Sequence, residues 1–210
     1  MVDLVVAGVG FLDVVNVIED INLNKREINF LGFIDDNQEK LPKNILGYPI
    51  LGPLDWIADN PNVSVFNSIA KNTIIRKKSY LKLLDLNASF YSLIHPSVNI
   101  RHSDIASGVL ICSNVNVEPK VKIGSQTMIL ANTTIGHDSI IGSNCFVAPG
   151  ANILGSVKID DECFIGSGAV IYPGRHIGSN STIGINSTVI NNIEKFTTVF
   201  SSPGRQFKNG

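Results

Sequence analysis

The chain has 210 residues, 44% of them hydrophobic, enough for one large or two small domains with a sizeable core. Its 17 basic and 18 acidic residues leave a formal charge of −1, which removes the electrostatic case for nucleic acid or an anionic membrane as partner. No apolar stretch approaches the roughly 18 residues of a membrane span, the N-terminal run lacks the basic start of a signal peptide, and three cysteines, an odd number, suggest a reducing compartment; the expectation is a soluble cytoplasmic protein.

The first half alternates strand and helix patterns. Val2–Ala7 is a short apolar strand, and Gly8-Val9-Gly10 follows as a tight turn. Leu12–Ile21 carries Val14, Val15, Val17, Ile18 and Ile21 at close to helical spacing. Ile28–Ile34 reads as a second strand and runs into Asp35-Asp36-Asn37. Asp55–Ala58 reads as a short helix after Gly52-Pro53, and Val63–Ile69 as a third strand. Thr73–Leu86 predicts a basic amphipathic helix with Ile74, Ile75, Leu81 and Leu84 turned inward. Ser89–Ile94 reads as a fourth strand. Strands alternating with helices imply an α/β domain over 1–94, a small Rossmann-like parallel sheet with right-handed crossovers. Gly8–Gly10 could turn backbone N–H groups toward a phosphate at a helix start. The third glycine of a dinucleotide fingerprint is replaced by Asp13, so NAD is not expected.

His95-Pro96 marks a hand-over to a different grammar over 95–210. From Ile105 to Val189 every sixth residue is Ile or Val, fifteen times without a miss. Neither a helix nor an ordinary strand asks for that spacing; it is the signature of a parallel β-helix of hexapeptide repeats. Three hexads make one coil of 18 residues, so fifteen make five coils, a column about 24 Å tall at ~4.8 Å per strand. Four residues after each Ile or Val a small or branched side chain points inward, with Arg175 breaking the row and implying a local distortion. Three residues after it, Asn, Gly or Asp recurs (Asn114, Asn132, Asp138, Gly150, Asn186 and Asn192 among them), as left-handed corners require. Cys145 and Cys163, 18 residues apart in the inward row, read as stacked core thiols.

Within the repeat, Ile135-Gly136-His137-Asp138 holds the candidate chemistry. His137 falls on an outward turn position beside Asp138. It is either a plain surface imidazole at a corner or a proton acceptor oriented by its neighbour. His102 and His137 have no third His in register, so no metal site is expected.

Taken in order, Gly8-Val9-Gly10, Phe33-Ile34-Asp35-Asp36-Asn37, Leu46-Gly47-Tyr48-Pro49-Ile50-Leu51-Gly52, His95-Pro96-Ser97, Ile135-Gly136-His137-Asp138 and Val147-Ala148-Pro149-Gly150-Ala151 resemble the bacterial sugar acetyltransferases related to the sialic acid O-acetyltransferase and the nucleotide-4-amino-sugar N-acetyltransferases. The resemblance covers nearly the whole chain. It implies a homotrimer of left-handed β-helices, with acetyl-CoA in the groove between neighbouring columns and a nucleotide-linked amino sugar held by the N-terminal domain. It makes His137 the general base and Asp138 its support. It assigns Gly8, Val9 and Gly10 to the pyrophosphate or sugar, and Asp35 and Asp36 to the base. It places Gly155, Ser167 and Ile185 along the coenzyme groove. Phe146 stands where many relatives carry a His that helps hold acetyl-CoA. The implied activity is N-acetylation of a dTDP- or UDP-linked 4-amino-4,6-dideoxyhexose for lipopolysaccharide or other surface glycans. The alternatives are O-acetylation of a sialic-type sugar and a non-catalytic scaffold that binds a nucleotide sugar.

Overall fold

The computed structural model describes residues 1–69 and 72–202. Strand β1 (Val2–Ala7) is buried from Leu4 to Ala7, as a strand flanked on both faces must be. It pairs in parallel with β2 (Ile28–Ile34) on one side and with β5 (Ser64–Asn67) on the other. Strand β4 (Tyr48–Gly52) extends the sheet beyond β2, with the short β3 (Asn44–Ile45) antiparallel to it at the edge. The order β3-β4-β2-β1-β5-β6, with β6 being Ser89–Phe90, reverses direction at β1. The turn after β1 therefore sits at a topological switch point, where open parallel sheets leave a crevice for ligands.

Helix α1 (Asp13–Lys25) buries Val14, Val15, Val17, Ile18 and Ile21, the face its spacing predicts, and ends at Arg26 in the left-handed conformation. The Leu54–Asp59 segment is a 3-10 helix that buries Leu54 and Ile57. Helix α2 (Thr73–Asp85) is capped by Asn72, whose side chain accepts from the Ile75 N–H at 2.8 Å. Its inward face is the reverse of the expected one: Arg76, Ser79 and Leu83 are buried, while Ile74, Ile75, Leu81 and Leu84 are exposed. Arg76 decides this. Its guanidinium donates to the carbonyls of Gln126 and Asn67, and those hydrogen bonds outweigh an apolar stripe that finds no partner.

The segment read as one fourth strand divides between two sheets. Ser89–Phe90 pairs with β5, whereas Leu93–Ile94 (β7) pairs with Leu110–Ile111 and opens the column. From there the chain winds as a left-handed parallel β-helix. Its first sheet stacks Asn116–Val117, Thr134–Ile135, Asn152–Ile153, Val170–Ile171 and Thr188–Val189. The second stacks Asp104–Ile105, Lys122–Ile123, Ile140–Ile141, Lys158–Ile159 and His176–Ile177. The third runs from β7 to Thr198–Val199. Each core Ile or Val lies on the one 18 residues away, as in Ile135, Ile153 and Ile171. Every sixth residue from Gly108 to Gly174, Asn180 and Asn186 has positive φ, including Lys120, Gln126, Ser156 and Glu162. Stacking imposes the corner even where the residue type does not favour it. Asn192 does not join this set; the last coil is shorter, and Ile177 bridges Ile193. Arg175 distorts nothing: the Lys158–His176 register holds, and its Nε–H turns back to the Pro173 carbonyl. Cys145 and Cys163 are both in the core, each thiol donating to a carbonyl one coil on at 3.2 Å.

The two parts share a core. Val14, Val17, Ile18 and Ile21 of α1 pack on the outer face of the third sheet, against Leu93, Leu110, Cys112, Met128 and Leu130. The start of α2 is fastened to one corner of the column by Arg76 to Gln126, by the Asn144 amide to the Thr73 carbonyl, and by the Lys77–Glu162 ion pair.

Candidate functional site

Two groups of predicted residues come together, on different parts of the molecule. The first is the edge between the first and second sheets. After Ile135 the chain turns through Gly136 and His137 to Asp138, whose φ of 58° makes the corner. The His137 side chain is 61% exposed, so most of it is left open by the described residues. Its Nδ1 lies 2.9 Å from Asp138 Oδ2, an arrangement in which Nδ1–H donates to the carboxylate and Nε2 is turned away from it. The hydrogen bond from His137, with Lys120 at 3.6 Å, holds the Asp138 carboxyl below its ordinary range. Asp138 therefore stays ionised well below neutral pH. The His137 backbone is fixed from both sides: its N–H donates to Glu118 Oε2 at 2.8 Å, and its carbonyl accepts from Ser156 at 2.7 Å. The repeat did not reveal the Glu118 contact, which arises through the stacking of one coil on the next.

Gly155 stands one coil beyond His137 in the same column. A Cβ there would lie 2.7 Å from His137 Nε2. The absence of a side chain is thus what lets the imidazole lie over this corner, with its basic nitrogen uncovered.

Ser167 and Ile185 stack on another edge, between the third and first sheets, where the Asn186 N–H bonds the Ser167 carbonyl at 2.8 Å. Within one chain they do not meet His137. Phe146 is on the outer face of the third sheet, stacked on Phe164 with centroids 5.4 Å apart and packed against the core shared with α1.

The second group lies at the switch point of the N-terminal sheet. A cavity of about 600 Å³ is lined by Gly8, Val9 and Gly10 after β1, Asp35 and Asp36 after β2, and Lys78 and Lys82 from α2. Gly8 has φ of 89° and lies directly under Ile69, so this position needs glycine. The N–H groups of Gly8 and Val9 are already used, by the Ile34 carbonyl at 2.9 Å and by Asp35 Oδ2 at 3.3 Å. Asp35 Oδ1 accepts from the Asn37 N–H, and Asp36 Oδ1 accepts from the Leu54 N–H at 3.0 Å. Lys82 joins Asp36 and Asp55, both at 3.1 Å. Burial pulls the Lys82 ammonium down, but the two carboxylates outweigh it and hold it above its usual range. The cavity therefore offers cations beside a glycine turn and carboxylates at its rim. That mixture suits a phosphorylated ligand with a polar head group.

Comparison with known proteins gives three findings. The family model "Bacterial transferase hexapeptide (six repeats)" matches residues 120–155 and 138–173. A curated acyl-[acyl-carrier-protein]–UDP-N-acetylglucosamine O-acyltransferase of Pseudomonas putida is 29% identical over 103 residues, 49% of this chain and 40% of that protein, so the chain spans well under half of that relative's length. Among solved structures, the acetyltransferase domain of PglB from Neisseria gonorrhoeae superposes with a TM-score of 0.84 at 22% identity, covering 98% of this chain and 99% of that one. A mutant perosamine N-acetyltransferase from Caulobacter crescentus, solved with CoA and GDP-perosamine, gives 0.84 at 23% identity over 99% and 97%. Both structural relatives share the α/β domain and the column in the same order along nearly their whole length. The family match shows hexapeptide repeats over residues 120–173, and the superpositions show that this chain has the two-part fold of these structures.

Proposed function

We propose that this protein is an acetyl-CoA-dependent N-acetyltransferase acting on a nucleotide-linked 4-amino-4,6-dideoxyhexose destined for a surface glycan. The observation that carries the reading is the His137–Asp138 pair on an open column edge, in a chain that also holds a phosphate-suited cavity at the switch point of its sheet. The perosamine enzyme, bound to CoA and a nucleotide amino sugar, and the PglB domain, also solved with acetyl coenzyme A, support both substrates by analogy.

The donor fits the chain's own features. Gly155 leaves the backbone open beside His137, and Ile185, 64% exposed on the other edge, offers apolar surface for a pantetheine arm. Because these edges are separate on one chain, the reading requires a second copy to close the groove, and a homotrimer supplies three such grooves. Acetyl-CoA, when bound, supplies an activated thioester carbonyl. His137 Nε2 takes a proton from the acceptor amine, and Asp138 steadies the imidazolium that forms. The balance is amine plus thioester giving amide plus CoA thiol, with no acyl-enzyme. Cys145 and Cys163 remain structural. No described helix is long and apolar enough to cross a membrane, and the buried free thiols suit the reducing cytoplasm.

The test is CoA-thiol release from acetyl-CoA with UDP-, dTDP- and GDP-linked 4-amino-4,6-dideoxyhexoses, beside free sialic acid. Thiol release with an amino sugar, and a product heavier by one acetyl group, is expected. Release with sialic acid alone, or with none, overturns the reading. A second expectation concerns Gly155. The Gly155→Ala substitution pushes the His137 ring off Asp138 and lowers kcat/KM by about a hundred-fold, the effect of a displacement near 1 Å. The thermal midpoint should stay near the wild-type value. Unchanged activity would show that the ring position is not set by this contact.

A further inference from the structure

At the corner that carries His137, the sheet ladders take the backbone N–H groups on either side of it. Gly136 donates to the Ile153 carbonyl at 2.7 Å and Asp138 to the Pro119 carbonyl at 3.2 Å. The His137 N–H, at the tip between them, donates to a side chain, Glu118 Oε2, at 2.8 Å. The corner through Ser143 uses the same device from the opposite direction. Its tip N–H donates at 2.7 Å to Oδ1 of Asp161, which stands 18 residues on, at the same place in the next coil. His137 has no use of that place. Its counterpart one coil on is Gly155, where a Cβ would lie 2.7 Å from His137 Nε2, so the space an acceptor side chain would fill belongs to the imidazole. Its counterpart one coil before is Pro119, which carries no polar side chain. The acceptor therefore comes from Glu118, one residue short of the register.

Glu118 is itself held in place. A proline restricts the residue before it to extended backbone, and Pro119 follows Glu118 directly. The Glu118 N–H donates to the Ile135 carbonyl at 3.0 Å, and its carbonyl accepts from Ser103 Oγ at 3.3 Å. The residue is half-buried. The His137 ring, by contrast, is mostly exposed, and among the described residues Asp138 is its one hydrogen-bonding partner. What fixes the ring is thus largely the peptide that bears it.

We propose that Glu118 is a positioning residue for proton transfer: by holding the tip of the corner, it holds the His137 imidazole over Gly155 and against Asp138. The assignment rests on the transferase reading above and adds to it a residue that touches neither substrate. A reacting group works at full rate only when held within roughly 0.5 Å of its productive place. Glu118 acts here as a hydrogen-bond acceptor, so an amide oxygen serves in place of the carboxylate.

Steady-state kinetics of the full-length Glu118→Ala and Glu118→Gln proteins, with the same UDP-, dTDP- and GDP-linked amino sugars, test this beside crystal structures of the wild-type and Glu118→Ala proteins. Glu118→Ala should lower kcat by about ten- to a hundred-fold, the effect of a displacement approaching 1 Å, and leave both KM values within about two-fold. Glu118→Gln should keep about a third or more of the wild-type kcat. In a His137→Ala background the loss of Glu118 should cost nothing further, because the group it positions is gone. In the Glu118→Ala crystal structure the ring should have left Asp138, with Nδ1 and Oδ2 beyond hydrogen-bonding distance. A Glu118→Ala kcat within about two-fold of wild type, a Glu118→Gln loss as deep as that of Glu118→Ala, losses that multiply in the double variant, or an unmoved ring would each overturn the role of Glu118 and leave acetyl transfer standing. If the wild-type protein acetylates no amine at all, the transferase reading itself falls and the positioning role with it.

Discussion

The His137→Ala protein is expected to fold normally and to lose acetyl transfer by about two to four orders of magnitude, the usual contribution of a positioned general base. The imidazole is exposed, and among the described residues its ring bonds only Asp138, so its removal leaves none of their buried groups unsatisfied and the thermal midpoint should not move. The loss should fall on kcat more than on either KM, because the ring acts on the proton and not on the anchoring groups of either substrate. Asp138→Asn should lie between the two. It retains a hydrogen-bonding partner for the ring and loses the charge. Since the His137 contact depresses the Asp138 carboxyl, the anion it contributes is present above the ordinary carboxylate range and is lost only as pH falls through the lowered value. Across neutral and mildly acid pH Asp138 therefore remains ionised. A His137→Ala protein with more than a tenth of wild-type kcat would remove His137 from the chemistry.

The second large effect is on stability. Arg76 is 1% exposed, and its guanidinium donates to the Gln126 carbonyl at 2.8 Å and to that of Asn67. Burial lowers it to about 9, so it is still a cation at neutral pH. Arg76→Ala leaves two buried carbonyls without donors and opens a cavity between the domain and the column. The expected cost is about 3–5 kcal/mol, a large part of the roughly 5–15 kcal/mol that holds a domain folded. Arg76→Lys should recover little, because one ammonium cannot reproduce the planar fork that reaches separated acceptors. Chemical denaturation measures the change. Proteolysis should find the start of α2 first, since Arg76, Lys77 and Asn144 make the contacts that hold it to the corner. A loss below 1 kcal/mol would mean the cation is a passenger in the interface.

Most of this architecture could be read along the chain. The hexads from Ile105 to Val189 encode strand, core and corner in each coil, and every predicted inward Ile or Val of that run from Ile123 onward is buried. The alternation of Val2–Ala7, Ile28–Ile34 and Val63–Ile69 with helices gave the parallel sheet, and the position of Gly8–Gly10 after its central strand follows from that pattern. Helix α2 is where periodicity misled. Its apolar residues suggested one inward face, whereas a charged residue at the right distance from two carbonyls chose the opposite one. Hydropathy counts Arg76 as a surface residue, because the carbonyls it donates to are 9 and 50 residues away.

The candidate site divides in the same way. His137 and Asp138 are chain neighbours, so their pairing was legible. Gly155, 18 residues beyond His137, falls in its column by the period alone, whereas the reach of Glu118 to the His137 amide appears only when the coils stack. The placing of Ser167 and Ile185 on another edge follows from the 18-residue period, whereas the packing of α1 against Cys112 and Leu130 belongs to no repeat. By itself the sequence determined the elements whose interactions are local or periodic, since a six-residue rhythm states its own register. Only the tertiary structure decided which polar groups are satisfied and which are left to meet a ligand, because their partners come from segments whose spacing in the chain carries no pattern.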